Sequence, residues 1–263
     1  MAITSFQDFA DQLCQATTYD ESFALYSQFT EFLGYESALY SFIPRIVLDQ
    51  ISHLQPKFSI SENYNQGYLE EYSASKFDKT DYVIKEIKSG CTETLDWWGD
   101  YKKGSLNAKQ TKILNIMRDD YKIENGLSIP LNTGVKGIAA VSVSSDQKDR
   151  LYQQLRSETH LTLKTASIIF HNHVVTNAFE YNAFVDPILP NMNKTEKKVL
   201  KLLLDGRPVP RISKILCKSE GYMENVVRSI RIKMAGLDSD DKPKISKDLL
   251  IHYSGLMGIY DAL

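Results

Sequence analysis

Asn193-Lys-Thr-Glu-Lys-Lys-Val-Leu-Lys-Leu-Leu-Leu-Asp-Gly206, Val209-Pro-Arg-Ile-Ser-Lys-Ile-Leu-Cys-Lys-Ser219 and Glu220-Gly-Tyr-Met-Glu-Asn-Val-Val-Arg-Ser-Ile-Arg-Ile-Lys-Met234 make up most of the last quarter of the chain. Each is a short helical pattern bounded by a stop or a cap. Val199, Leu200, Leu202 and Leu203 recur at core spacing in the first, and Gly206 stops it. The second is short, with Ile212, Ile215 and Leu216 expected inside. Ser219 is a good N-cap for the third, and Glu220 suits the positive end of its dipole. Met223, Val226, Val227, Ile230 and Met234 form its buried stripe, which leaves Glu224, Asn225, Arg228, Arg231 and Lys233 on the outer face. Three small helices of this kind are a usual frame for placing one helix in the DNA major groove. Long polar side chains reach base edges there, and basic ones take phosphates. Arg228 and Asn225 suit the first task; Arg231, Lys233, Lys218 and Lys214 suit the second. Glu224 would repel phosphate, so it should face bases, with a cytosine amino group as its natural partner, or leave the interface. The plain alternative is a small helical bundle with a solvated charged face.

The charge distribution agrees with a polyanion-binding end. Residues 192–263 hold 14 Lys+Arg against 9 Asp+Glu, a balance of +5. The rest of the chain holds 17 against 24, a balance of −7, and the total is −2. A basic end on an acidic body points to one end meeting a polyanion, although chance surface variation gives the same figure. Hydrophobic residues at 43% and charged residues at 24% are ordinary for a globular protein. No apolar run approaches the roughly 20 residues that cross a bilayer, and no secretory leader is visible, so a cytoplasmic protein is expected. Cys14, Cys91 and Cys217 are far apart, which argues against a disulfide framework or a zinc site.

The first three quarters mix helical and strand patterns. Two helices open the chain, from about Ser5 to Ala16 and from an Asp20 cap to Gly34. Ser37–Ile43 reads as a strand stopped by Pro44, and Val47–Ile60 as further strand and turn. Asn65–Lys88 looks helical in two pieces, and Lys109–Tyr121 is another helix. Gly126–Leu131 and Gly137–Val143 are strands around a turn at Asn132–Gly134. A long helical stretch covers Gln147–Glu180, with a break expected near Thr159–Thr162. Residues 182–192, with two prolines and no period, form the expected linker between domain 1–181 and domain 193–263. The fold class expected is α+β: an amino-terminal α/β/α sandwich that binds a ligand, followed by a small all-α helix-turn-helix domain.

Aromatic residues gather between Tyr64 and Trp98. Tyr64, Tyr68 and Tyr72 recur every fourth residue and would share one helical face. Asp81 follows, and a buried Asp in an aromatic wall needs a hydrogen-bond donor, which a ligand amide can supply. Core packing for the tyrosines and an N-cap role for Asp81 are the plain alternatives. His171-Asn-His173 diverges on a helix and has no third ligand nearby, so no metal is expected there. No phosphate-binding glycine loop and no Gly-x-Ser-x-Gly or His-Glu-x-x-His motif occurs, so an enzyme is not expected.

The closing segment resembles the helix-turn-helix domain of LuxR-type transcription regulators on Glu196, Val199-Leu200, Gly206, Ile212-Ser213, Ser219 and Lys233-Met234. It departs from that pattern at Asn193-Lys194, Tyr222-Met223 and Glu224. The aromatic segment is similar to the autoinducer-binding domain of the same family on Tyr64, Tyr68, Tyr72, Asp81, Trp97 and Gly126-Leu-Ser-Ile-Pro. Tyr68 stands where the family has a Trp, and Tyr82 where it has a Pro; Trp98 is a second match for the later Trp. The resemblance implies that Asp81 takes the amide N–H of an acyl-homoserine lactone, and that Tyr72 and Ser142 meet its acyl carbonyl region. It further implies a ligand pocket of Tyr64, Tyr68, Tyr72, Asp81, Trp97 and Ser142, and DNA contacts from Ser219, Glu224, Asn225, Arg228, Arg231 and Lys233. The implied partners are a double-stranded DNA operator, the small-molecule signal, a second copy of the chain and RNA polymerase, with no cofactor and no membrane. A second reading is an orphan regulator that answers to a different small molecule, a protein partner or no ligand.

Overall fold

The computed structural model describes residues 3–52, 56–131, 134–177, 183–184, 192–237 and 245–263. They fall into two compact units: Met1–Ser41, Phe58–Asn132 and Ile138–Thr176 in the first, and Phe42–Lys57, Thr133–Gly137 and Asn177–Leu263 in the second.

The first unit begins with helices α1 (Phe6–Gln15) and α2 (Tyr19–Phe32). The sequence points to Asp20 as the cap of α2, but the cap is Thr18. Its hydroxyl accepts from Glu21 N while the Glu21 carboxylate accepts from Thr18 N, a reciprocal pair that Asp20 could not form two positions later. Strand β1 (Ser37–Pro44) is followed in the chain by the one-turn helix α3 (Arg45–Leu48), whose residues belong to the second unit, and then by β2 (Lys57–Ile60). Val47–Ile60 is therefore part helix rather than strand and turn throughout; Pro44 at the N-cap and an Arg45–Asp49 ion pair favour the turn of helix. Then come α4 (Gln66–Ala74), α5 (Tyr82–Lys88), β3 (Leu95–Asp96), α6 (Trp97–Lys102), α7 (Ala108–Asp119), β4 (Asn125–Leu131), β5 (Gly137–Ser145) and α8 (Asp149–Thr176). The expected turn at 132–134 lies largely outside the described residues.

The break expected near Thr159–Thr162 is absent. Thr159 and Thr165 turn their hydroxyls back onto the carbonyls of Leu155 and Leu161, so they are satisfied without interrupting α8. The strands form one antiparallel sheet in the order β2-β1-β5-β4-β3. Leu127 pairs with Val143, Ser128 with Ser142 and Ile129 with Val141. Strand alternation puts Leu127, Ile129, Val141 and Val143 on one buried face. Gly126, Ser128, Ala140 and Ser142 are on the other, where α4 to α7 supply a second core. α1, α2 and α8 pack through Phe9 on Phe29 at 4.7 Å and Tyr26 on Phe170 at 4.8 Å, and Tyr40 of β1 meets Phe170 edge-on at 5.3 Å. The fold is α+β. His171 Nδ1 lies 3.0 Å from the Tyr40 hydroxyl, the packing role that its position on a helix suggests.

The second unit holds α9 (Lys194–Leu204), α10 (Val209–Ile215), α11 (Glu220–Met234), α12 (Lys247–Leu256) and α13 (Ile259–Ala262). Asn193 caps α9 in a reciprocal pair with Glu196, and Gly206 ends it at φ +74°, a left-handed value that favours glycine. Ile215, expected inside, is exposed. The buried positions of α10 are Val209, Ile212 and Ser213, spaced three and four apart, and Ile215 falls off that face. The last two helices, α12 and α13, are divided at Gly258. Residues 238–244 lie outside the described set, as does most of the expected linker. Within this unit the Tyr253 hydroxyl donates to Asp49 Oδ2 at 2.8 Å, and Arg45 Nε lies 3.0 Å from the same oxygen. Among the described residues, no helix is long and apolar enough to cross a membrane.

Candidate functional site

Asp81 sits at the start of α5 and uses both carboxylate oxygens. Oδ1 accepts from Val83 N at 2.7 Å, which caps the helix, and Oδ2 accepts from the Tyr72 hydroxyl at 2.8 Å. The cap role and the polar-anchor role thus coexist. A carboxylate oxygen has room for a second donor, so Oδ2 can still take an amide N–H. Burial raises the Asp81 carboxyl, against the hydrogen bonds from Tyr72 and from the Val83 and Ile84 amides, which lower it. Tyr64, Tyr68 and Tyr72 are all pushed up, first by burial, then by the Asp81 charge at Tyr64 and Tyr72 and by Tyr64 and Asp81 at Tyr68, so they remain O–H donors across ordinary pH.

The three tyrosines meet at one cluster, but not on one helix. α4 begins at Gln66, and Asn65 caps it by accepting from Tyr68 N, so Tyr64 reaches the cluster from the turn before the helix. Tyr68 packs edge-on to Tyr72 at 6.0 Å and to Tyr121 at 5.5 Å, and Tyr72 meets Phe77 at 5.9 Å.

Trp97 closes the cluster from α6. Its indole Nε1 donates to Ser128 Oγ at 2.9 Å, and Ser128 lies 2.8 Å from Ser142 Oγ across the β4–β5 pair. Trp97 and Ser142 are therefore joined through Ser128, which sequence reasoning missed. The alternation of the Gly126-Leu-Ser-Ile strand, which sets residues 126 and 128 on one face, was the signal for it. The ring needs Gly126: a Cβ there would lie 2.2 Å from a Trp97 ring carbon. Gly126→Ala is expected to displace the indole and cost about 1–3 kcal/mol by overpacking. Thermal melts and indole fluorescence check this, and an unchanged spectrum would show that the ring does not rest on Gly126.

Trp98, the second match for the family's later Trp, and Tyr82, which stands where the family has a Pro, are buried in the same cluster. The Arg118 guanidinium stacks 3.5 Å over the Trp98 ring and donates from Nη2 to the Glu124 carbonyl at 2.6 Å. Elsewhere in this unit an open groove of about 440 Å³ is lined in part by Asp20, Glu31, Glu36 and Glu62. Those acidic walls do not suit an uncharged acyl compound, so the candidate site is the aromatic cluster. Among the described residues no group of three or more His, Cys, Asp or Glu could hold a metal ion.

In the second unit Glu224, Asn225 and Arg228 are exposed on the outer face of α11, Arg228 four and three residues after the other two, and Ser219 caps that helix by accepting from Tyr222 N. Arg231 and Lys233 are held by the fold. Arg231 Nε donates to the Ile245 carbonyl, and Lys233 Nζ lies 2.7 and 2.9 Å from the two Glu196 oxygens. A phosphate contact from either would require those bonds to be given up.

A family model described as the autoinducer binding domain matches residues 18–174. Comparison with curated proteins gives no match. Among solved structures, Escherichia coli SdiA aligns with a TM-score of 0.55 at 16% identity, covering 97% of this chain and 97% of that one. SdiA in complex with octanoyl-rac-glycerol gives 0.53 at 16% identity, covering 99% and 98%. CepR2 of Burkholderia cenocepacia, described as an N-acylhomoserine lactone dependent LuxR family transcription factor, gives 0.52 at 16% identity, covering 65% and 93%. At such identity these likenesses speak to the fold.

Proposed function

The chain belongs to the autoinducer-binding domain family of LuxR-type quorum-sensing receptors, which are not enzymes, and on that premise we propose that it is a ligand-responsive DNA-binding transcription regulator. Its signal is an acyl-homoserine lactone, held in an α/β/α sandwich of residues 1–181. A linker over 182–192 leads to a helix-turn-helix domain at 193–263. The observation that carries the ligand reading is Asp81, a partly buried carboxylate with the Tyr72 hydroxyl on one oxygen, beside the aromatic cluster of Tyr64, Tyr68 and Tyr72. Asp81 takes the ligand amide. Tyr64, Tyr68, Tyr72 and Trp97 wall the acyl amide, and Ser142 lies near its carbonyl. A ligand that binds one state of the chain shifts the population by its differential affinity.

The output is α11 in the major groove of a two-fold operator, with Arg228, Asn225 and Glu224 toward the bases and Ser219 at the helix start. Arg231 and Lys233 support that helix. One small helix-turn-helix reads few base pairs, so a homodimer is proposed. Leu161 and Ile168, exposed and seven residues apart on α8, support a surface for the second copy. RNA polymerase is the further partner, and the protein acts in the cytoplasm.

Arg228→Ala tests the DNA half. On a site selected from random DNA with the wild-type chain, it is expected to weaken binding by about 1–3 kcal/mol while the fold and ligand response remain. An unchanged footprint would remove α11 from the interface. A second reading, a regulator without a ligand, draws on the same Tyr72–Asp81 bond, because the chain's own phenol already occupies the carboxylate. Small molecules extracted from the purified protein separate the two.

A further inference from the structure

The polar atoms of the aromatic cluster divide unevenly between donors and acceptors. Tyr72 donates to Asp81, and Trp97 to Ser128, which in turn lies 2.8 Å from Ser142. Two donors are left over: the Tyr82 hydroxyl and Trp98 Nε1 are buried and have no hydrogen-bond partner. Both side chains are more than nine-tenths buried, and both belong to the same core as Tyr68 and Trp97. Folded proteins leave few buried polar groups unsatisfied, and each such group calls for a reason. Tyr82 follows Asp81 directly in the chain. Burial and the charges of Asp100, Asp81 and Asp96 all disfavour its ionisation, so it is an O–H donor facing no acceptor.

Resting on the reading of this cluster as the signal pocket, we propose that the ligand carries an accepting oxygen in addition to the N–H or O–H donor taken by Asp81, and that Tyr82 is the specificity residue that donates to it. Trp98 supplies the second donor. An acyl ligand with a lactone or hydroxylated head fits this deficit, because its head offers oxygens that accept; a plain hydrocarbon chain does not. The class is therefore an oxygen-bearing acyl compound, whether lactone or glyceride.

The test compares the full chain with its Tyr82→Phe and Trp98→Phe variants, with and without N-octanoyl-homoserine lactone or octanoylglycerol. Without ligand, Tyr82→Phe is expected to melt at or above the wild-type temperature, since it removes a hydroxyl that no protein group satisfies. With whichever probe binds, its dissociation constant is expected to rise by about three- to tenfold, the worth of one neutral hydrogen bond. Trp98→Phe should weaken the same probe in the same direction. A lower melting point for ligand-free Tyr82→Phe would mean that the hydroxyl has a structural partner, which overturns the proposal. An unaltered dissociation constant would overturn it too, while leaving the pocket in place. If neither probe binds the wild-type chain, the pocket reading itself fails, and the proposal with it.

Discussion

Glu196→Ala is expected to lower the stability of the carboxy-terminal helices by about 1.5–3 kcal/mol, the range for losing hydrogen bonds to a charged group. Its side chain is 4% exposed and faces three groups. Oε2 accepts from Asn193 N at 2.7 Å, Oε1 accepts from the Ser229 hydroxyl at 2.6 Å, and both oxygens meet the Lys233 ammonium. One carboxylate thus ties the start of α9 to two successive turns of α11, and α11 is the helix proposed to read DNA. Burial pushes the Glu196 carboxyl up, but the hydrogen bonds from Lys233, Ser229 and Asn193 and the Lys233 charge hold it below its ordinary 4.5. A depressed carboxyl contributes stability that is fully present above the unfolded value and is lost as pH falls through the folded one. The wild-type chain should therefore lose protection of the α9 and α11 amides to hydrogen exchange on acidification below about 4.5, and Glu196→Ala should lack that protection already at neutral pH. Equal protection in variant and wild type would show that the carboxylate does not clamp these helices.

Asp81→Ala is expected to move the ligand dose curve to higher concentration by about tenfold to a hundredfold or more, since a hydrogen bond to a charged group contributes roughly 1.5–3 kcal/mol. The same change removes the cap of α5 and the acceptor of the Tyr72 hydroxyl, with a stability cost of about 0.5–2 kcal/mol for the cap alone. Asp81→Asn separates the two effects. Asparagine caps a helix as well as aspartate does, so Asn should keep the fold while losing the charged acceptor. Burial also sets the pH behaviour of the ligand-free domain. A carboxyl raised above its ordinary 3.8 favours folding in its protonated form, a contribution complete below 3.8 and lost as pH rises through the raised value. A donor that arrives with the ligand opposes that loss, so the ligand should stabilise more at neutral pH than in acid. A dose curve unaltered in Asp81→Ala would remove this residue from the site.

Much of the architecture was legible because it is written in local periods. The stripe Met223, Val226, Val227, Ile230 and Met234 is buried as its spacing requires, and Glu224, Asn225 and Arg228 are exposed. The family likeness was legible for a different reason, since it rests on residue types at fixed offsets such as Tyr72 and Asp81. What stayed hidden depends on partners distant in sequence. Lys233 looks like a surface cation until Glu196, 37 residues away, is placed beside it. Ser128 looks like an ordinary strand residue until the Trp97 indole reaches it from 31 positions away. Tyr82 reads as the first residue of a helix, and only its burial and its unpaired hydroxyl make it a candidate for recognition. Strand order, with β1 beside β5, is set by long-range pairing that no window of sequence carries.

The central claim is that the aromatic cluster around Asp81 holds a small acyl signal. Mass spectrometry of small molecules released from the chain, purified from cells supplied with acyl-homoserine lactones of short to long acyl length, tests it most directly. One lactone is predicted to be retained by the wild-type chain in near-equal amount to the protein, and to be lost from Asp81→Ala. A wild-type chain that retains no small molecule, or that retains the same lactone as fully when Asp81 is replaced, would contradict it.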